Sequence, residues 1–121
     1  MQIHILDFDL SWIDAQAIMA SLPVIFAPEF HTPPQQASRN ESLAESVTRK
    51  LSTADPKFST NEVRVMLTSV VAAQQFLTGK LHLTLDADLK SELTRHFFTI
   101  NKLAPGFSSA LDTLLDMYLD T

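Results

Sequence analysis

The chain has 121 residues, 45% hydrophobic and 19% charged, a composition that indicates a folded domain rather than a disordered segment. It contains no cysteine, which excludes disulfide bonds, thiolate zinc sites and cysteine nucleophiles. The net charge of −5 argues against nucleic acids and anionic membranes as partners, because both bind basic surfaces. Apolar stretches are too short to span a bilayer and no basic signal-peptide region precedes them, so we expect one cytoplasmic domain over residues 1–121.

The charges are unevenly distributed along the chain. Residues 1–38 carry four acidic residues and residues 103–121 carry three, and neither segment contains Lys or Arg. All nine basic residues lie between Arg39 and Lys102, where they exceed the acidic residues by two. This segregation predicts a surface with a dominant sign, and such a surface selects its partners by charge complementarity.

The N-terminal part predicts a short strand followed by a helix. Residues 2–6 alternate between polar and apolar side chains, as in a half-buried strand. Asp9 or Ser11 is a suitable N-cap for a helix over residues 12–22, and Pro23 ends that helix.

The middle of the chain predicts a loop and two helices. Residues 27–38 contain three prolines and are expected to form the longest loop. A helix over residues 39–52 follows, with apolar residues recurring every four positions. Ser59 and Glu62 then have the spacing of a capping box. They begin the most apolar helix, over residues 63–78, which we expect to lie at the centre of the fold.

The C-terminal part predicts two more helices. Residues 81–85 alternate with period two and form either a strand paired with residues 2–6 or an extended connector. Asp86 caps a helix over residues 87–103, and a last helix begins near residue 108 and ends near residue 119. The predicted fold class is mainly α, a compact bundle of about five helices with at most this two-stranded β patch.

One short segment carries a family resemblance. Asp7-Phe8-Asp9 follows the strand-like start and resembles the first motif of haloacid-dehalogenase-like phosphatases, where two aspartates act as nucleophile and acid/base beside magnesium. A single aspartate there also resembles the opening of PIN-type nucleases. The resemblance implies a metal-dependent phosphatase or nuclease that uses Asp7 and Asp9. Both families need further parallel strands, which the remaining sequence does not predict, and alternatively the two aspartates cap the first helix.

Asp112, Asp116 and Asp120 share one face of the predicted last helix, because they lie four residues apart. They form either a solvated face or an acidic ridge that meets a basic partner. Carboxylates one turn apart on a single helix seldom surround a metal ion alone, so we predict no metal and no cofactor here.

Two phenylalanines complete the candidate residues. Phe26 and Phe30 flank the proline-rich loop, and an aromatic side chain held on an ordered loop is a natural interface anchor. Phe98 lies off the main apolar stripe of its helix, whereas most other aromatic residues, including Trp12, are expected in the core. With two glycines and no nucleophile motif, the chain has no recognisable catalytic residues.

The expected function is therefore a small acidic interaction or regulatory module, comparable in class to inhibitors, immunity proteins and antitoxins. Its binding residues for a basic protein would be Phe26, Phe30, Asp112, Asp116 and Asp120. Besides the metal-dependent enzyme, a homo-oligomeric structural subunit that buries the region around Phe26 and Phe30 is a further alternative.

Overall fold

The computed structural model describes the backbone of residues 5–7, 11–53 and 57–105, and the side chains of the last two ranges. The fold is mainly α, as the sequence predicts. Two 3₁₀ helices, Leu22–Phe26 and Pro28–Phe30, follow the first α-helix directly. The predicted last helix, with Asp112, Asp116 and Asp120, lies outside the described residues. The remaining elements are β1 (Ile5–Asp7), α1 (Trp12–Ser21), α2 (Pro34–Leu51), β2 (Lys57–Ser59), α3 (Thr60–Leu77), α4 (Ala87–Arg95) and α5 (residues 97–105).

Helix α3 is the element around which the others pack. It contacts α1, α2, α4, β2 and the first 3₁₀ helix. Its buried residues face more than one side, and a helix of this kind needs several neighbours to cover it. The predicted central helix is confirmed. These buried residues are Glu62, Val63, Val65, Met66, Leu67, Ser69, Val70, Ala72 and Ala73.

Side-chain caps define where the helices begin. The Ser59 hydroxyl accepts a hydrogen bond from the Glu62 backbone N–H at 3.3 Å, and the Ser59 backbone N–H donates to the Glu62 carboxylate at 2.9 Å. Ser11 and Asp14 form the same reciprocal pair at the start of α1, with both distances 3.1 Å. Asp86 caps α4. The capping predictions for α3 and α4 are confirmed, and the cap of α1 is Ser11.

The two-stranded patch pairs different residues from those predicted. β1 runs antiparallel to β2, with Leu6 opposite Phe58. Residues 81–85 are unpaired, so the connector alternative is correct and the predicted pairing with residues 2–6 is wrong. Leu83 is nevertheless buried in the core. Alternating burial on a helical surface gives the same sequence pattern as a strand, which explains the error. Residues 2–4 lie outside the described residues.

The proline-rich segment is shorter than predicted. Helix α2 begins at Pro34 rather than at residue 39, and within residues 27–38 only Ala27 and residues 31–33 lack helical structure. The prolines do not prevent this start, because the first helical position needs no backbone N–H donor. The predicted helix over residues 87–103 is also interrupted, by a turn at His96 that separates α4 from α5.

A buried carboxylate connects α2 to α3. Glu62 is only 3% exposed. Its carboxylate accepts hydrogen bonds from the Lys50 ammonium at 2.6 Å, the Ser46 hydroxyl at 2.7 Å and the Ser59 backbone N–H at 2.9 Å. Burial by itself would raise the pKa of Glu62, but these hydrogen bonds outweigh it and hold the pKa below its ordinary value. The fold therefore contains Glu62 in its charged form.

We expect Glu62→Gln to lower the free energy of unfolding by about 2 kcal/mol at neutral pH, because the amide loses the charge-assisted bonds to Lys50 and Ser46. The exposed Glu45 of α2 provides the control, and Glu45→Gln should change stability by less than about 0.5 kcal/mol. Urea denaturation of the variants and the parent protein measures both effects.

The same pair of proteins tests the pH dependence. Because the native pKa of Glu62 lies below the unfolded value, its stabilisation is complete above the unfolded pKa and disappears as the pH falls through the native pKa. The difference between the parent protein and Glu62→Gln should therefore shrink on acidification. A difference that stays constant down to about pH 2, well below the ordinary Glu pKa, would contradict this assignment.

Two buried serines provide a second test of the core. The Ser21 hydroxyl donates to the Ala17 carbonyl at 2.8 Å, whereas the Ser69 hydroxyl has no hydrogen-bond partner within the described part of the chain. A buried hydroxyl without a partner is destabilising. We expect Ser69→Ala to raise the free energy of unfolding by about 1 kcal/mol and Ser21→Ala to lower it by about 0.5 kcal/mol. Urea denaturation giving shifts of the same sign would contradict this distinction.

Candidate functional site

The solvent-facing side of α1 and the first 3₁₀ helix is apolar. Helix α1 carries apolar residues all round, a pattern that is typical of a helix covered on all sides. From residue 12 to residue 26, seven positions are not buried, and Gln16 is the only polar residue among them. We call the other six the apolar stripe: Trp12, Ile13, Met19, Ala20, Pro23 and Phe26.

The apolar stripe exposes large side chains along one direction. Trp12 is 61% exposed, Ile13 60% and Phe26 43%. Trp12, Met19 and Phe26 are spaced by seven residues. This spacing places them roughly two turns apart on one side of α1 and the 3₁₀ helix that continues it. The stripe is therefore about 20 Å long, from the rise of the two helix types. Large exposed apolar patches are candidates for interaction sites, so we take this stripe as part of the candidate site.

A groove of about 630 Å³ lies between the apolar stripe and α2. Both helical walls pack on α3 and leave this space between them. One wall is apolar, and the α2 wall places charged and polar side chains around a single alanine. Apolar surface bordered by polar side chains is the usual arrangement of a binding site, and we call the polar α2 wall the rim of the groove. The first wall consists of Met19, Leu22, Pro23 and Phe26, and the second of Glu41, Ala44, Glu45, Thr48 and Arg49.

The helical period of α2 explains this second wall. Val47 and Leu51 are buried, and they belong to the face of α2 that packs on α3. Glu41 and Glu45 lie on the adjacent face, about a third of a turn away from Val47 and Leu51. Ala44 lies at the boundary between the two faces and is partly buried against the core. The same amphipathic pattern that anchors α2 therefore brings two carboxylates to the rim of the groove.

The charges on this rim are free to meet a partner. Glu41 and Glu45 are both exposed, and within the described part of the chain neither forms an ion pair. Like charges four residues apart on a helix repel each other. Arg49, a further turn along, ends the acidic part of the rim. The rim therefore has a fixed order of charge: acidic, acidic, basic.

The structure places the two predicted phenylalanines at different sites. Phe26 lines the groove, whereas Phe30 is partly buried against the core and lines a separate depression of about 290 Å³. The Glu29 carboxylate beside Phe30 accepts a hydrogen bond from the Thr84 backbone N–H at 2.6 Å. Hydrogen bonding with the Thr84 side chain is the largest cause that holds the pKa of Glu29 below its ordinary value, and the backbone bond adds to it. Phe26 is thus the more available of the two aromatic side chains.

Of the two N-terminal acids whose side chains are described, one is buried and the other is exposed but hydrogen-bonded within the chain. The Asp14 carboxylate is largely buried in the cap of α1, and Glu29 is bonded to the connector after α3. The sequence segregation suggested a surface made by the chain ends, but in the described part the free carboxylates beside the groove are those of Glu41 and Glu45.

The described residues show few of the features that a metal-dependent phosphatase or nuclease would need. Asp7 lies in β1, and Asp9 lies outside the described residues. The two described strands are antiparallel, unlike the parallel sheet that the resemblance implies. Within residues 11–53 and 57–105, no three Asp, Glu or His side chains are grouped as metal ligands would be.

Of the nine residues that line the groove, the sequence predicted only Phe26 as a binding residue, and it placed Trp12 wrongly. Trp12 was expected in the core but is exposed, because α1 has apolar residues on two sides and α3 covers only one. The sequence does not indicate a groove, because the groove exists only where α1 and α2 lie side by side. The residues that it brings together include Met19, Pro23, Glu41 and Glu45. The available indication was the recurrence of apolar residues at both faces of residues 12–26.

No protein-family model, curated protein or solved structure is significantly similar to this chain. The interpretation of the site therefore depends on its own geometry and charge. Among the described helices, none is both long and apolar enough to cross a membrane.

Two isoleucines of α1 test whether the apolar stripe serves folding. Ile18 is fully buried, whereas Ile13 is mostly exposed. We expect Ile18→Ala to lower the free energy of unfolding by about 3 kcal/mol, because it leaves a cavity, and Ile13→Ala to lower it by less than about 1 kcal/mol. Thermal and urea denaturation measure both. A large loss from Ile13→Ala would show that this side chain belongs to the core.

Proposed function

We propose that this protein is a non-enzymatic interaction or regulatory module that binds a basic protein surface through the groove and the apolar stripe. The observation that carries the proposal is an exposed apolar stripe beside a groove with acidic rim residues. Among the described residues, the fold is stabilised without any segment covering this surface. A partner that covers this apolar surface would remove it from water, and the hydrophobic effect would then stabilise the complex.

The apolar part of the site is suited to provide affinity. Phe26 lies in the wall of the groove, and Trp12 extends the same apolar stripe beyond it. Aromatic side chains are common among the residues that contribute most to protein–protein binding. Charged residues around an apolar interface centre help to exclude water from it and fix the orientation of the partner. The stripe and the rim together have this organisation.

The charges are suited to provide selectivity. The chain has a net charge of −5, and Glu41 and Glu45 present carboxylates at the rim that form no ion pair with another described residue. A basic surface would be attracted over a distance of about 10 Å at moderate salt, and its binding would weaken as salt increases. Inhibitors, immunity proteins and antitoxins act in this general way when they cover a basic surface of their target.

A capture experiment with matched baits tests this function. Immobilised parent protein, Phe26→Ala, the double variant Glu41→Gln/Glu45→Gln and Phe98→Ala would be exposed to host lysate at low salt and eluted with a salt step. We expect one basic protein, in stoichiometric amount, on the parent and on Phe98→Ala. The other two baits should retain at least tenfold less of it.

Phe98 is the appropriate control, because it is 85% exposed, stacks edge-to-face on Phe97 and does not line the groove. Equal capture by all four baits, or the absence of any groove-dependent partner, would contradict the proposal. A homodimer in light scattering that Phe26→Glu dissociates would instead support the structural-subunit alternative, since the same apolar surface would then be covered by a second copy.

A further inference from the structure

We infer that the segment of the partner that fills the groove is an amphipathic helix of two to three turns with basic residues along one flank. This inference rests on the proposed function and adds the class of ligand. It follows from the elements that form the walls, the length of the groove and the order of charge on its rim.

The walls of the groove favour a helix over an extended peptide. Both walls are helical, formed by α1 with the first 3₁₀ helix on one side and by α2 on the other. The backbone N–H and C=O groups of helices are bonded internally, so these walls offer no edge to which an added strand could pair. An occupant must be held by its side chains, as amphipathic helices are in apolar grooves.

The length of the groove corresponds to a short helix. Its α2 wall runs from Glu41 to Arg49, about 12 Å at 1.5 Å per residue. Apolar residues at positions i, i+4 and i+7 of a docked helix span about 10 Å and would face the opposite wall between Met19 and Phe26. Ala44 lies where the α2 wall meets the core, and its small side chain allows a helix to approach closely.

The charges on the rim specify the polar flank of the occupant. Glu41 and Glu45 lie one turn apart, so two Lys or Arg residues one turn apart on the occupant would face them. Arg49 then favours an acidic residue one turn further along. A second copy of this chain fits this rim poorly, because it brings together two molecules of net charge −5.

Synthetic peptides test the inference directly. The probe is a fluorescein-labelled, tryptophan-free 18-residue helix with Leu at positions i, i+4, i+7 and i+11 and Lys on the adjacent positions. Two matched peptides carry Glu in place of Lys, or the same composition in an order without helical periodicity. Fluorescence anisotropy gives the affinity, and emission from Trp12, the only tryptophan in the chain, reports on coverage of the apolar stripe.

We expect the Lys peptide to bind at least tenfold more tightly than either matched peptide and to shift the Trp12 emission to shorter wavelength. Glu41→Gln/Glu45→Gln should weaken it about tenfold and reduce its salt dependence, whereas Met19→Asp should abolish binding. Phe98→Ala should bind like the parent protein. Circular dichroism of each variant establishes that a loss of binding is not a loss of fold.

The outcomes separate this inference from the proposed function. Equal binding of the Lys and Glu peptides would overturn the basic flank, and equal binding of the non-periodic peptide would overturn the helix. If no peptide binds while the capture experiment yields a Phe26-dependent partner, the inference fails and the proposed function stands. A homodimer that Met19→Asp dissociates would overturn the inference in favour of a second copy.

Discussion

The packing requirement of α3 determines the rest of the structure. Because this helix is apolar on more than one side, it is buried only when α1, α2 and the first 3₁₀ helix all lie against it. The carboxylate of Glu62 then fixes α2 at the N-terminal end of α3 through Lys50 and Ser46. The groove is the space left between two helices that are each positioned by a third. Its shape is therefore tied to the core rather than to a mobile loop.

Helix α1 has one apolar side that the fold buries and another that the fold leaves exposed. One side, with Ala17 and Ile18, is fully buried against the core, but the opposite side is apolar too. A helix that only had to fold would carry polar residues there, at no loss of core packing. The exposed side chains of Trp12 and Ile13 are a solubility risk for an isolated protein. These two side chains belong to the surface that the proposed partner would cover.

Local chemistry could be predicted from the sequence, and long-range packing could not. The caps Ser59 and Asp86 depend on a few neighbouring residues and are confirmed. Residues 81–85 were ambiguous because side chains that pack alternately on helices produce the same pattern as a strand. Phe26 was recognisable as a candidate anchor, but its groove depends on where α2 lies, and the start of α2 at Pro34 was itself missed.

The position of the charges on the surface likewise depends on long-range packing rather than on their order in the sequence. Segregation along the sequence pointed to the chain ends, yet Asp14 is used to cap α1 and Glu29 to hold the connector after α3. The acidic residues at the groove lie instead in the central segment that carries the basic residues, where Glu41 and Glu45 repel each other on one helix face. In the proposed complex, a basic partner would relieve that repulsion while burying the apolar stripe. On this proposal, burial of the stripe would provide affinity and the charges of the rim would provide orientation, so that both together would specify the partner.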